Sequence, residues 1–162
     1  MGRQAAQHHP HAPRIVNRKA HHNFHILEVV ECGLELLGTE VKSLRAGSMQ
    51  IDEAHARLRG SQAFLIGATI AAYPQAGPVQ HDPLRPRKLL LHRRQIEALA
   101  VHVAQKGRTL VPVAVYFKKG WAKCELAVAV GKRAYDKRQT LRRKDQQREI
   151  DRELRRRQRR AE

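Results

Sequence analysis

The sequence predicts a mainly β fold with an appended basic tail, and three features predict it. Short apolar runs rich in branched residues alternate with turn signals as far as Val130. The segment TLVPVAVYFKKGWAKCELAVAV, residues 109–130, reads as two strands turning at Lys119-Gly120. Beyond Val130 the apolar pattern stops, and VGKRAYDKRQTLRRKD opens a charged stretch that runs to Glu162.

Taken in order, residues 1–16 are rich in His, Ala, Gln and Pro without periodicity, so a disordered N-terminal segment is expected, with order starting at Asn17. FHILEVVECGLELLG (24–38) reads as two strand-like runs broken at Cys32-Gly33. TEVKSLRAG (39–47) reads as a short helix with Thr39 as its cap, Val41 and Leu44 on one face, and Gly47 just past its end. AHARLRGSQAFLIGATI (54–70) reads as a hairpin turning at Gly60-Ser61. Pro74, Pro78, Pro83 and Pro86 make 73–88 an irregular loop.

HRRQIEALAVHVAQKG (92–107) is a helix whose core face carries Ile96, Leu99, Ala100 and Val103, ending at Gly107. In the last hairpin, Ala122, Cys124, Leu126, Val128 and Val130 alternate with Trp121, Lys123 and Glu125, which predicts one buried and one solvated face. Pro112 cannot donate a ladder hydrogen bond, so its strand is expected at an edge or bulged. About six strands, paired mostly as hairpins, with two or three short helices, fit a small, partly open Greek-key barrel of oligonucleotide-binding type over residues 17–130.

The chain carries a formal net charge of +17, from 32 Lys+Arg and 15 Asp+Glu. Residues 131–162 hold 14 basic and 6 acidic side chains, leaving 18 basic and 9 acidic for the rest, so tail and body are both positive. Such an excess repels itself, and a polyanion relieves it. Nucleic acid is favoured over an anionic membrane, because each neutralised phosphate releases condensed counterions. Leu141, Ile150 and Leu154 are too few to order the tail alone, but its Arg, Gln, Glu and Lys are good helix formers. The tail is therefore expected to be disordered in isolation and helical once a polyanion covers it.

No run approaches the ~20 apolar residues of a membrane span, and the N-terminus lacks the apolar core of a secretory signal, so a cytoplasmic location is expected. Cys32 and Cys124 are the only cysteines and read as two buried thiols rather than a disulfide. HHNFH groups His21, His22 and His25, but no carboxylate or thiolate stands at a metal-ligand spacing, so no metal or other cofactor is expected. No phosphate loop, nucleophile elbow or zinc-protease motif occurs, and Asp82, Glu31 and Glu40 read as isolated carboxylates; an enzyme is not expected.

Four clusters suit RNA instead. NRKAHHNF brings Asn17, Arg18, Lys19, His21 and His22 beside Phe24; EVKSLRAG offers Lys42 and Arg45. RPRKLLLHRR supplies Arg85, Arg87, Lys88, His92, Arg93 and Arg94. YFKKGWAK places Lys118, Lys119 and Lys123 among Tyr116, Phe117 and Trp121. Cations beside aromatic rings suit phosphate neutralisation with base stacking. One such cluster is an ordinary solvated face; four are not.

NRKAHHNF, GTEVKSLRAG, RPRKLLLH and GKRAYDKR occur in an order and spacing that resemble the SsrA-binding protein family, also called small protein B, the bacterial partners of transfer-messenger RNA. The resemblance implies an oligonucleotide-binding-fold barrel that holds the tRNA-like domain of that RNA. It further implies delivery, with alanyl-tRNA synthetase and elongation factor Tu as indirect partners, to ribosomes stalled in trans-translation. It implies a tail that senses the empty mRNA channel and becomes helical there. By position it implies RNA-binding roles for Glu31, Leu90 and His92, and ribosome-contacting roles for Gly131, Lys132, Arg133, Tyr135, Asp136, Lys137 and Arg138. The chain departs from the family pattern at His21, Asn23 and Phe24, where an arginine, an acidic residue and a tyrosine are usual. The alternative reading is a general nucleoid or ribosomal structural protein that binds polyanions through charge alone.

Overall fold

The computed structural model of the chain describes residues 12–132. In chain order the elements are β1 (Ile15–Val16), α1 (Arg18–Asn23), β2 (Phe24–Leu34), α2 (Gly38–Arg45), β3 (Met49–Gln50), β4 (His55–Arg59), β5 (Gln62–Ile66), β6 (Thr69–Ile70), β7 (Arg87–Leu90), α3 (Arg93–Val103), β8 (Arg108–Lys118) and β9 (Trp121–Gly131). The fold is mainly β, as expected. Strands run in the order β8-β4-β5-β7-β2-β9, every pairing is antiparallel, and β8 also pairs β9. The ring therefore closes, where a partly open barrel was expected; closure leaves no free edge between β8 and β9. β3 and β6 form a separate two-stranded ribbon.

Two bulges decide which side chains point inward. In β8 the register shifts between Pro112 and Ala114, the bulge that proline demanded. An even-numbered residue before it, Leu110, and an odd-numbered one after it, Val115, thus both enter the barrel core, while Val111 and Val113 face out. In β2 the shift lies between Ile26 and Glu28. Phe24 and Ile26 consequently face out, whereas Val30, Cys32 and Leu34 face in. A bulge inserts one residue and reverses the alternation.

The core gathers Leu34, Leu44, Ile51, Leu65, Ile70, Leu89, Leu99, Leu110, Val115, Leu126 and Val128, all buried. Each fully buried branched side chain contributes roughly 1.5–3 kcal/mol. A second cluster lies outside the sheet, where Ala20 of α1 packs on Val111, Val113, Ala127 and Ala129. Ala127 and Ala129 are thus buried too, and the single-sided alternation expected for β9 holds only at its start.

Several local expectations change. The fold begins before Asn17: Ile15 pairs Val115 and Val16 pairs Ala114. β2 is one strand through Cys32-Gly33, because Gly33 is where its neighbours overlap, pairing Lys123 on one side and Leu90 on the other. A Cβ on Gly33 would stand 3.1 Å from Leu90 Cβ, a contact tight enough that Leu90 would have to shift by a few tenths of an ångström. The proline-rich loop ends earlier than expected, at β7, which fills the ring position between β5 and β2. α2 starts at Gly38, and Glu40 Oε2 caps it by accepting the Leu37 N–H at 2.8 Å. Thr39 Oγ1 instead meets buried His81 Nδ1 at 2.9 Å. Gly47, φ +79°, follows the helix as expected. α3 buries Ile96 and Leu99 but leaves Ala100 and Val103 exposed and stops at Val103, four residues before Gly107.

Candidate nucleic-acid interface

The β2–β7 seam opens on a groove of about 530 Å³, lined by Glu31, Gly33, Gln62, Lys88, Leu90, His92, Gln95 and Lys123 among others. Five residues named from sequence, Glu31, Lys88, Leu90, His92 and Lys123, come together here from three strands and the start of α3. β2 and β9 supply Glu31 and Lys123; β7 supplies Lys88 and Leu90. Leu90 is 51% exposed, an apolar platform in a groove that Lys88 and Lys123 also line. His92 stands at the N-cap of α3, its backbone N–H held by Gln95 Oε1 at 2.8 Å.

Glu31 is not isolated. Its carboxylate accepts from Lys118 Nζ at 2.9 Å and from the Tyr116 hydroxyl at 2.6 Å, and it lies 3.7 Å from Lys123 Nζ. Hydrogen bonding from Lys118 and then Tyr116 holds the carboxyl below its ordinary range, so it is ionised at neutral pH. The same bond pushes the Tyr116 hydroxyl up to about 12, keeping it a donor. Tyr116 carries the Arg14 guanidinium 4.7 Å above its ring, and Arg14 Nη2 meets Glu125 Oε2 at 2.5 Å. One exposed carboxylate thus fixes two ammonium groups beside the groove. Sequence reading missed this network: Arg14 fell in the segment expected to be disordered, and strand register alone joins Tyr116 to Glu31 from 85 residues away.

The remaining predicted cations lie on other elements. Arg18, Lys19, His21 and His22 ride on exposed positions of α1, with Lys19 Nζ 2.5 Å from Glu53 Oε1. Lys42 sits over the Tyr73 ring at 5.3 Å and Arg45 over Phe117 at 5.4 Å. Lys118 and Lys119 end the β8–β9 hairpin, where Lys119 and Gly120 both have positive φ, beside Trp121, which is 74% exposed. A two-residue hairpin turn needs that backbone conformation.

Three residues of the predicted clusters have structural partners. Asn17 is buried; its Oδ1 accepts the Ala20 N–H at 2.9 Å, and its amide donates to Ile51 O at 2.9 Å and Pro112 O at 3.0 Å. Both its donors are consumed in tying α1 to the barrel. Arg87, wholly buried, donates to Glu40 Oε1 at 3.0 Å, and Arg85 Nη2 meets Glu40 Oε2 at 2.5 Å. The RPRK cluster therefore presents Lys88 but turns its Arg85 and Arg87 towards a buried carboxylate. Gly131 ends β9 opposite Phe24, and Lys132 follows it. Arg133, Tyr135, Asp136, Lys137 and Arg138 lie outside the described residues. Among the described residues no group of three His, Cys, Asp or Glu is placed to hold a metal, and no helix is long and apolar enough to cross a membrane.

Comparison with known proteins follows the same lines. The family model described as SmpB protein matches residues 14–156. The SsrA-binding protein of Chloroflexus aurantiacus is 52% identical over 141 residues, covering 86% of this chain and 88% of that one. The SsrA-binding protein of Shouchella clausii is 49% identical over 138 residues, covering 85% and 88%. A solved structure described as "tmRNA-SmpB: a journey to the center of the bacterial ribosome" contains a chain with 45% identity and a TM-score of 0.65, covering 76% of this chain and 87% of that one. With a family model spanning nearly the whole described barrel, and relatives this similar over most of both lengths, the chain belongs to the SmpB family.

Proposed function

We propose that this chain binds the tRNA-like domain of transfer-messenger RNA and brings it to stalled ribosomes for trans-translation. The observation that carries the RNA part is the groove, in which an exposed leucine stands among Lys88, Lys123, His92 and an ionised Glu31. Lysines there and at the hairpin tip neutralise phosphates, and Leu90 offers an apolar surface to an unstacked base or sugar. Glu31 and His92 supply an acceptor and a ring nitrogen that discriminate one RNA surface from another. The names of the relatives, SsrA-binding proteins, and of the solved tmRNA-SmpB ribosome structure support the same assignment.

The division of labour is part of the proposal. The barrel grips the RNA, and residues 131–162, through Gly131, Lys132, Arg133, Tyr135, Asp136, Lys137 and Arg138, enter the mRNA channel when no message occupies it. A net charge of +8 in that segment, 14 basic against 6 acidic, suits a path walled by phosphate. Folding on binding lowers affinity but makes it conditional on vacancy.

The test is a chain ending at Gly131. Affinity for the tRNA-like domain should stay within about threefold of the intact protein, while tagging of nascent chains on truncated message is lost; loss of RNA affinity would refute the division. The polyanion-binder reading is tested by shuffling the tail at constant charge, which only that reading survives.

A further inference from the structure

Cys32 of β2 and Cys124 of β9 stand directly opposite each other in the antiparallel ladder. Both are free and buried, and both point into the same core cluster. The Cys32 Sγ–H donates to the Cys124 carbonyl at 3.2 Å. Directly opposed residues of an antiparallel pair have Cα atoms about 4.5–5.5 Å apart. A disulfide requires roughly 4.4–6.8 Å. The backbone is therefore already in register for a bond that has not formed. Cys32 belongs to the strand segment that borders the groove, between Glu31 and side-chain-free Gly33, but its side chain turns the other way into the core, so a small oxidant reaches the thiol through local opening of the sheet.

We propose that Cys32 and Cys124 are a covalent modification site, a cross-strand dithiol that hydroperoxides close into an intramolecular disulfide. The step balances with one peroxide. The Cys32 thiolate attacks a peroxide oxygen; an S–O bond forms, the O–O bond breaks, and the leaving hydroxide takes a proton to become water. The Cys124 thiolate then attacks Cys32 Sγ; the S–S bond forms, the S–O bond breaks, and a second water leaves. Two electrons pass from the dithiol to hydrogen peroxide. Hydrogen bonding with Cys32, then burial, pushes the Cys124 thiol well above its ordinary range. The balance is the same whichever sulfur is oxidised first.

The crosslink would join residues 92 apart in sequence and pin β2 to β9 beneath Glu31 and Lys123. It does not rest on the RNA reading and stands or falls separately from it.

The experiment uses the full chain, reduced, freed of added thiol and exposed to hydrogen peroxide, followed by thiol titration and a non-reducing peptide map. Both thiols should disappear, and a Cys32–Cys124 peptide pair should appear, lighter than its reduced parts by two hydrogens. The melting temperature should rise by roughly 5–10 °C and return on treatment with dithiothreitol. Cys124→Val, of similar volume, should abolish the shift. Persistence of both thiols, sulfinic acid at Cys32 without a linked peptide, or a disulfide between two chains would each overturn the proposal. The wild-type map decides even should the variant fail to fold.

Discussion

Arg87 Nε lies 3.0 Å from Glu40 Oε1, and neither side chain has any exposed surface. Two charges taken fully out of water persist only because every neighbour is used. Glu40 also receives Arg85 and the Leu37 N–H, and Arg87 also donates to the carbonyls of Ala68 and Pro83. The pair joins α2 to β7, the strand that presents Lys88 and Leu90. It therefore sets the position of one wall of the groove.

Breaking that pair should cost more than any surface change. Arg87→Met leaves the buried Glu40 carboxylate with only Arg85 and the Leu37 N–H, and about 3 kcal/mol of stability should be lost, less than the largest such penalties because those two remain. Urea denaturation measures it. A loss under ~0.5 kcal/mol would mean the pair holds nothing together.

Acid should reveal the same residue. Burial raises the Glu40 carboxyl, but hydrogen bonds from Arg85, the Leu37 amide and Arg87 more than offset it, leaving the carboxyl below its ordinary 4.5. A depressed folded-state value means the unfolded chain binds the proton more tightly. The stabilisation is complete above about 4.5 and disappears as pH falls through the lower, folded value. Stability measured from pH 7 down to 3 should fall along that limb, and Glu40→Gln, though less stable throughout, should flatten it. An unchanged limb would assign the acid sensitivity to other groups.

Asn17→Ala should cost about 2 kcal/mol, combining a lost helix cap with the loss of the amide's bonds to the Pro112 carbonyl and to the Ile51 carbonyl, which keeps the Ala54 N–H. RNA affinity under conditions where the variant stays folded should change little, because the amide has no donor left for a ligand. A large affinity loss in the folded variant would return Asn17 to the interface.

Leu90→Ser should do the reverse. A side chain already 51% exposed contributes little to the core, so the melting temperature should move by no more than a few degrees. Affinity for the tRNA-like domain should drop about tenfold or more. Gel-shift titration beside a thermal melt separates the two effects, and an unaltered affinity would remove Leu90 from the contact surface.

Much of this was legible in the chain itself, and the failures share one cause. Hairpins announced themselves through local turns, so β4–β5 and β8–β9 emerge from Gly60-Ser61 and Lys119-Gly120. β7 did not, because RPRKLLLH carries no alternation and its strand character comes from partners on both sides, β5 and β2. Charge was read as exposure. That holds for Lys88 and Lys123, which reach the groove, and fails for Arg87, whose partner Glu40 lies 47 residues earlier. The outward cluster under α1 was equally invisible, since Ala20 meets Val113 and Ala129 only once the barrel has closed. Residues that act through sequence-distant partners carry no local signature.

The central claim is that the groove, and not charge alone, selects the RNA. It is tested most directly by equilibrium affinity for the tRNA-like domain against an RNA duplex of equal length, across salt, for the intact chain and for Lys88→Ala/Leu90→Ser/Lys123→Ala. The intact chain should prefer the tRNA-like domain by about a hundredfold at physiological salt, with the logarithm of affinity falling linearly with that of salt. The triple variant should lose most of that preference while still binding both RNAs weakly. Equal affinity of the intact chain for the two RNAs, or a preference untouched by the triple change, would contradict the account.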